Sequence, residues 1–341
     1  MSAGQLVGPY LVGRSLGEGT FGAVYDATHE ETGRRVAVKL LHGSKQMEPE
    51  VQNRFVREIA ILQRLDHDNV VRHFDCGLHN DSIFCAMELV ECGTLKDVLA
   101  RRGALPWRDA AEVALQTARG LAHAHELGCV HRDLKPANLY LSAAGHVKIG
   151  DLGLARDLTD SRLTVQGQTV GSWRYMPPEQ IRGEDAIDGR LDLYALGCIL
   201  FEMVAGRVPF DGPTAVSIFD QHLEATAPRL DALMPGTPTG LADLVERLLA
   251  KAPADRPADA TEVVARLESL LADPQSTAGA LSAATPTAAA TPDPPAEPLN
   301  LTQRLQAGGT EARSVNPRAL IVAAGIAAAA AAGWAIWRFA G

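Results

Sequence analysis

The sequence predicts an α+β protein in which a strand-rich part precedes a larger helical part, and three observations carry that reading. Strand-like residues flank a glycine-rich stretch, Leu16 to Val24, on both sides. A helix-periodic stretch from Asp109 to Leu127 leads into a loop crowded with charge, His131-Arg132-Asp133-Leu134-Lys135-Pro136-Ala137-Asn138. Strand and helix patterns continue with few breaks from about Tyr10 to Ala272, and the composition then changes abruptly. The 341 residues are 46% hydrophobic and 21% charged, enough for a large buried core. A formal net charge of −9 argues against nucleic acid as a partner.

After a tail of residues 1–9, Gly17, Gly19 and Gly22 set a G-x-G-x-x-G pattern within Leu16-Gly17-Glu18-Gly19-Thr20-Phe21-Gly22-Ala23-Val24. The spacing alone also fits a dinucleotide-binding turn. Such a turn leads from a strand into a helix, whereas Ala23 to Thr28 reads on as a strand. Thr32-Gly33 then turns, and Arg35 to Leu40 forms a third strand containing Val36-Ala37-Val38-Lys39. Glycines admit close backbone approach to phosphates, and Phe21 at the tip would cover them. A strand lysine ordinarily faces solvent, but Lys39 ends an apolar run after a glycine-rich hairpin. Val51 to Leu65 has helix periodicity, with Val51, Phe55, Ile59 and Leu62 on one side and Glu58 next to that face. Glu48 and Glu50 are placed less well than Glu58, because Pro49 disrupts a helix there. Ser82 to Val90 is a further apolar strand. Gly128 ends the helix that begins near Asp109. A hairpin around Ala144-Gly145 precedes Val147-Lys148-Ile149-Gly150-Asp151-Leu152-Gly153, where Asp151 would by itself read as an ordinary turn residue.

These motifs, in this order, resemble the protein kinase family over about Tyr10 to Leu271, and most of all the eukaryotic-like (Hanks-type) serine/threonine kinases of bacteria. The resemblance implies a bilobal kinase fold over residues 10–272, with a small β-rich lobe carrying one helix, a larger helical lobe, and ATP bound between them. It implies that Leu16, Gly17, Glu18, Gly19, Thr20, Phe21 and Gly22 cover the phosphates, and that Val24 and Ala37 roof the adenine. Met87 would be the gatekeeper, with the backbones of Glu88 and Val90 meeting the adenine edge. Lys39 would pair with the α- and β-phosphates and with Glu58. Asp133 would align and deprotonate the substrate hydroxyl, Lys135 would steady the γ-phosphoryl charge, and His131 would be structural. Asn138 and Asp151 would hold Mg²⁺ through oxygen, with Mn²⁺ as a substitute.

Three departures from the family pattern stand out. Leu152 replaces the phenylalanine of D-F-G, and Ser172 and Pro177 alter the segment Val170-Gly171-Ser172-Trp173-Arg174-Tyr175-Met176-Pro177-Pro178-Glu179. Leu152 still fits an apolar pocket. Glu179 is expected to pair with Arg256, and Asp192 to brace the catalytic-loop backbone. Within the activation segment, Leu154 to Thr169, Thr164 first and Thr169 second are the candidate phosphosites, with Arg132 as the phosphate's partner. Protein Ser/Thr hydroxyls are the implied substrates, with a kinase dimer for trans-autophosphorylation. A pseudokinase is disfavoured because Lys39, Asp133, Asn138 and Asp151 are all present. A small-molecule kinase is disfavoured by the Y-M-P-P-E platform.

Residues 273–318 are rich in Pro, Ala and Thr and read as a disordered linker; Leu301 to Gln306 has the pattern of a single helical turn. Ala319 to Trp337 is uncharged and would span roughly 28 Å as a helix. Arg313 and Arg318 precede it, and Trp334 and Trp337 lie near its far end. It is read as a transmembrane helix with a short tail, residues 338–341, anchoring a cytoplasmic kinase to the cell membrane; the alternative is an Ala-rich helix packed on the kinase. No basic region followed by an apolar run opens the chain, so no signal peptide is expected. The five cysteines, Cys76, Cys85, Cys92, Cys129 and Cys198, are odd in number and lack metal-site spacing, and they are expected to be reduced thiols.

Overall fold

Period-2 patterning in the first ninety residues builds a six-stranded antiparallel sheet. The computed structural model describes residues 4–19, 22–41, 59–80, 82–152, 173–184, 187–273 and 299–307. These fall into two compact units, one made of residues 4–41 with His73–Leu89, the other of residues 59–72 and Val90 onward. The strands of the first unit are β1 (Leu6–Val7), β2 (Tyr10–Gly19), β3 (Gly22–His29), β4 (Arg35–Leu41), β5 (His73–His79) and β6 (Ser82–Met87), in the order β1-β2-β3-β4-β6-β5. Alternate residues of a strand face opposite sides. One face of this sheet therefore carries the core cluster of Val36, Val38, Leu40, Ala27, Phe84 and Ala86, closed by Val7, Tyr10 and Val12. The registers Val24↔Lys39 and Ala37↔Met87 place Val24, Ala37, Lys39 and Met87 together on the other face.

One expectation fails in this sheet. Cys76 and Cys85 are directly opposed on β5 and β6, with Cα atoms 4.1 Å apart, and they form a disulfide. Cysteine spacing gave no hint of it, because the pairing depends on strand register. Among the described residues Cys92, Cys129 and Cys198 take no part in a disulfide.

The second unit is built on helices. Helical residues 59–62 lie inside the stretch expected to be helical. Leu95–Arg102 starts with a capping box: the Asp97 amide donates to Thr94 Oγ1, and the Thr94 amide donates to Asp97 Oδ2 at 2.8 Å. Trp107–Glu126 is the long central helix, two residues earlier at its start than the apolar stripe predicted. Gly128, at φ +74°, ends it by reversing the chain. Its amide donates to the His125 carbonyl, and the Cys129 amide donates to the Ala124 carbonyl, both at 2.9 Å. The almost wholly buried helix Arg190–Ala205 packs against it, as does Ala260–Ala272. Strands β7 (Leu139–Leu141) and β8 (Val147–Ile149) form a small antiparallel hairpin. Residues 301–307, within the stretch read as a linker with one helical turn at Leu301 to Gln306, form a helix, Leu301–Ala307.

Candidate active site

The catalytic-loop candidates are fixed by a carboxylate that the fold buries completely. Asp192, in the first turn of Arg190–Ala205, is wholly buried. Its Oδ2 accepts from the His131 amide at 2.8 Å, and its Oδ1 accepts from the Arg132 amide at 2.9 Å. His125 Nε2 sits 2.8 Å from the same Oδ2. Burial pushes the Asp192 carboxyl up, but the His125 hydrogen bond and charge, aided by His131, outweigh this and hold it below the usual carboxylate value. Arg132 takes φ +63°, a conformation rare for a side-chain-bearing residue, and the two amide bonds to Asp192 flank and hold that turn.

Around this anchor the loop closes on itself. The Asp133 amide donates to His131 Nδ1 at 3.3 Å, so Nε2 carries the ring proton and donates to the Gly150 carbonyl at 3.0 Å. Both ring nitrogens of His131 are thereby committed, as befits a structural residue. Lys135 Nζ lies 2.7 Å from Asp133 Oδ2, and both side chains are partly exposed. Asn138, on the short turn Pro136–Asn138, donates its side-chain amide to the Asp133 carbonyl at 2.9 Å. The Gly150 amide donates to the Asn138 carbonyl, also at 2.9 Å. Two bonds therefore tie Gly150, the neighbour of Asp151, to the loop carrying Asp133 and Asn138. Asp151 has φ +55°, and its charge pushes the half-buried Tyr140 phenol up, with partial burial acting in the same direction. Leu152 is fully buried.

Asn138 and Asp151 offer oxygen donors, the set that suits a hard cation such as Mg²⁺. With the Asn138 amide nitrogen spent on the Asp133 carbonyl, its carbonyl oxygen is left as the acceptor for a cation. Among the described residues there is no cluster of three or more His, Cys, Asp or Glu that could cage a metal.

Beyond the loop, Glu179 and Arg256 meet as expected. Arg256 Nη1 and Nη2 reach the two carboxylate oxygens at 2.7 and 2.8 Å, and both side chains are buried. Beside Lys135 opens a cavity of about 330 Å³, lined by Lys96, Leu99, Lys135, Arg174, Tyr175 and Glu202 among others. Tyr175 donates to Glu202 at 2.7 Å, and Arg174 pairs with Asp211.

In the first unit, β2 and β3 pair from Tyr10↔His29 up to Gly19↔Gly22, so the glycine-rich stretch is a strand–turn–strand hairpin and not a strand–helix turn. A Cβ on Gly22 would collide with the Leu40 carbonyl oxygen, so only glycine fits that close approach. Lys39 is buried on β4 and pairs in register with Cys85. Glu88 and Val90 follow the end of β6. Thr20, Phe21, Glu58, Thr164, Thr169, Ser172 and the stretch 319–337 lie outside the described residues. Sequence reasoning missed His125 and Gly189. A Cβ on Gly189 would lie 2.5 Å from His125 Nδ1, so glycine makes room for the ring that reaches Asp192. No motif in the sequence marks either residue.

The protein kinase domain model matches residues 10–267. The chain belongs to the protein kinase domain family. A probable serine/threonine-protein kinase of Clostridium perfringens is 35% identical over 281 residues, covering 82% of this chain and 41% of that protein. The serine/threonine-protein kinase PrkC of Bacillus subtilis is 36% identical, covering 74% of this chain and 39% of its own length. PknL of Mycobacterium tuberculosis is 36% identical, at 76% and 65%. The chain thus spans less than two thirds of the length of these curated relatives. The crystal structure of the Mycobacterium tuberculosis PknI kinase domain superposes with a TM-score of 0.62 at 27% identity, covering 79% of this chain and 98% of that one.

Proposed function

We propose that the protein is a serine/threonine protein kinase, transferring the γ-phosphoryl group of ATP to Ser or Thr hydroxyls of protein substrates. The observation that carries this reading is the loop held by Asp192, in which Asp133, Lys135 and Asn138 are bonded together and His131 and Asn138 tie the loop to Gly150, next to Asp151. In this reading Asp133 accepts a hydrogen bond from the substrate hydroxyl and takes its proton as the oxygen attacks the γ-phosphorus and the bond to the β-phosphate oxygen breaks. Lys135 lies beside that carboxylate and neutralises charge on the moving phosphoryl group. Asn138 and Asp151 hold Mg²⁺, which when bound screens the phosphate charges; Mn²⁺ offers the same oxygen preference. Lys39, oriented by Glu58, binds the α- and β-phosphates beneath the glycine hairpin of residues 16–22. Val24, Ala37 and Met87 contact the adenine ring, and the backbones of Glu88 and Val90 meet its edge. The cavity beside Lys135 receives the substrate segment, with Tyr175 and Arg174 on its wall. Positioning, more than base strength, supplies the catalysis.

Full-length Asp133→Asn is expected to lose phosphorylation of itself and of a test protein while still binding nucleotide. Lys39→Met is expected to lose activity through misplaced phosphates. Undiminished phosphorylation in both variants would overturn the assignment. Autophosphorylation at Thr164, or failing that Thr169, in trans within a kinase dimer, is the proposed activating event, checked by phosphopeptide mass spectrometry across residues 159–172. The apolar stretch 319–337 is proposed to anchor the kinase at the cytoplasmic face of the cell membrane. Among the described residues no helix is long and apolar enough to cross a membrane, so the proposal rests on residues 319–337 alone. Carbonate extraction of the full-length protein tests it: release into the soluble fraction would end the idea.

A further inference from the structure

The helix Leu301–Ala307 packs against the second unit although residues 274–298, 25 positions, intervene after the preceding described helix. Seven residues are too few to hold a helix in water unaided. Its order has to come from what it touches. Leu301 and Leu305, one turn apart on one face, are both buried, as is Thr302 between them. Arg304 Nε lies 3.0 Å from Asp109 Oδ1, and its Nη2 meets the Glu112 carboxylate. Both acids lie on the long helix Trp107–Glu126.

Each end of the segment is also held. Asn300 and Gln303 cap the helix reciprocally, the Gln303 amide donating to Asn300 Oδ1 at 3.0 Å and the Asn300 amide to Gln303 Oε1 at 2.8 Å. The Asn300 side chain donates to the Ala143 carbonyl in the β7–β8 turn at 3.0 Å. Gly145 in that turn leaves room for it, since a Cβ there would lie 3.0 Å from Asn300 Cβ. At the other end Arg102 Nη1 donates to the Arg304 carbonyl at 2.9 Å, and Gln306 Nε2 donates to the Cys92 carbonyl at 3.2 Å. Burial of two leucines, an acidic pair, a cap acceptor and a carbonyl clamp all match one short sequence.

We propose that this surface is a peptide-docking groove and that residues 299–307 are its ligand, carried in cis. The pattern it reads is Asn-Leu-x-x-Arg-Leu: the leucines fill the apolar floor, the arginine meets Asp109 and Glu112, and the asparagine meets the β7–β8 turn. A tether of 25 residues presents the segment at an effective concentration on the order of millimolar. The groove is therefore filled by the chain's own segment, and any protein carrying the same pattern reaches it only by displacing that segment.

The test uses the full-length protein. Hydrogen exchange of residues 301–307 is expected to be at least about tenfold slower than in the synthetic peptide Leu299–Ala307, and to reach the peptide's rate in a Leu301→Asp, Leu305→Asp double variant. A fluorescent copy of that peptide is expected to bind the double variant at least about tenfold more tightly than the wild type, whose groove is occupied. Adding Glu112→Arg to the double variant should abolish peptide binding, and a peptide carrying Arg304→Glu should restore it. Exchange in the wild type as fast as in the free peptide overturns the proposal, and so does equal peptide binding by wild type and variant. Protection that appears only with a concentration-dependent dimer in light scattering assigns the segment to a second copy and overturns the cis assignment.

Discussion

Removing the Glu179 carboxylate is expected to be among the most damaging single changes in the second unit, and the hydrogen bonds of Arg256 set the size of the effect. All five N–H groups of Arg256 are used. Nε donates to the Ala250 carbonyl at 2.9 Å, Nη1 to Glu179 and the Arg190 carbonyl, and Nη2 to Glu179 and the Lys251 carbonyl. The guanidinium also lies 4.9 Å from the Tyr194 ring centroid. Glu179→Ala leaves a buried cation with two donors unanswered, which costs about 3–5 kcal/mol. Glu179→Gln keeps one acceptor and places an NH₂ against an N–H, so a loss of about 2–3 kcal/mol is expected. In urea, with a slope of about 3 kcal/mol per M, Glu179→Ala should lower the midpoint by about 1 M or more. A cycle of Glu179→Gln, Arg256→Gln and the double variant should return a coupling of at least about 2 kcal/mol. Because Glu179 sits on the helix Pro178–Ile181, just after Tyr175 and Pro177, the surviving enzyme should show a raised peptide KM. A loss below about 1 kcal/mol for Glu179→Ala, or strict additivity in the cycle, would refute the reasoning.

Other expectations follow from the same geometry. Asp192→Asn replaces an acceptor of two backbone amides and should cost about 2–4 kcal/mol, with a fall in phosphoryl transfer on the order of a hundredfold from lost positioning; unchanged hydrogen exchange at His131 and Arg132 would contradict it. Burial, then the neighbouring Lys251, pushes the His222 ring down to about 3, while an unfolded histidine titrates near 6.5. The unfolded state therefore binds the extra proton as pH falls from about 6.5 to about 3, and stability should drop by up to roughly 1.4 kcal/mol per pH unit. Tyr194 and Phe210 face that ring, and Lys251 Nζ donates to the His222 carbonyl; a flatter acid limb in His222→Gln, measured by urea unfolding at stepped pH, is the check. Gly120→Ala puts a methyl 2.6 Å from the Asn69 carbonyl oxygen and 2.9 Å from Ile149 Cδ1. It should cost about 1–3 kcal/mol and loosen the bond from the Ile149 amide to that same carbonyl; an unshifted urea midpoint would speak against it.

What the sequence made legible was whatever is local in the chain. The glycine hairpin, the loop from His131 to Asn138 and the helix ended by Gly128 are contiguous stretches whose residue types fix their own geometry. Asp192 and the Glu179–Arg256 pair were also reachable, because each lies in a recognisable stretch and the family pattern supplies the long-range partner. Contacts without such a pattern were not. The Cys76–Cys85 bond depends on the register of β5 against β6. His125 reaches Asp192 only because Gly189 leaves it space.

The segment 299–307 is the sharpest case. Its leucines are sparse, and its flanking residues carry the composition of a linker, so no local measure predicts more than a turn. What orders it lies on a helix begun nearly two hundred positions earlier, at Asp109 and Glu112, and on Ala143 and Cys92. Burying Leu301 and Leu305 stabilises the helix by about 1.5–3 kcal/mol for each side chain. That is enough to offset much of the ordering cost of a short helix whose backbone is already capped at Asn300. A composition that excludes a core of its own therefore does not exclude structure, because a linker needs only one short amphipathic turn when the surface that completes it belongs to the domain it is tied to.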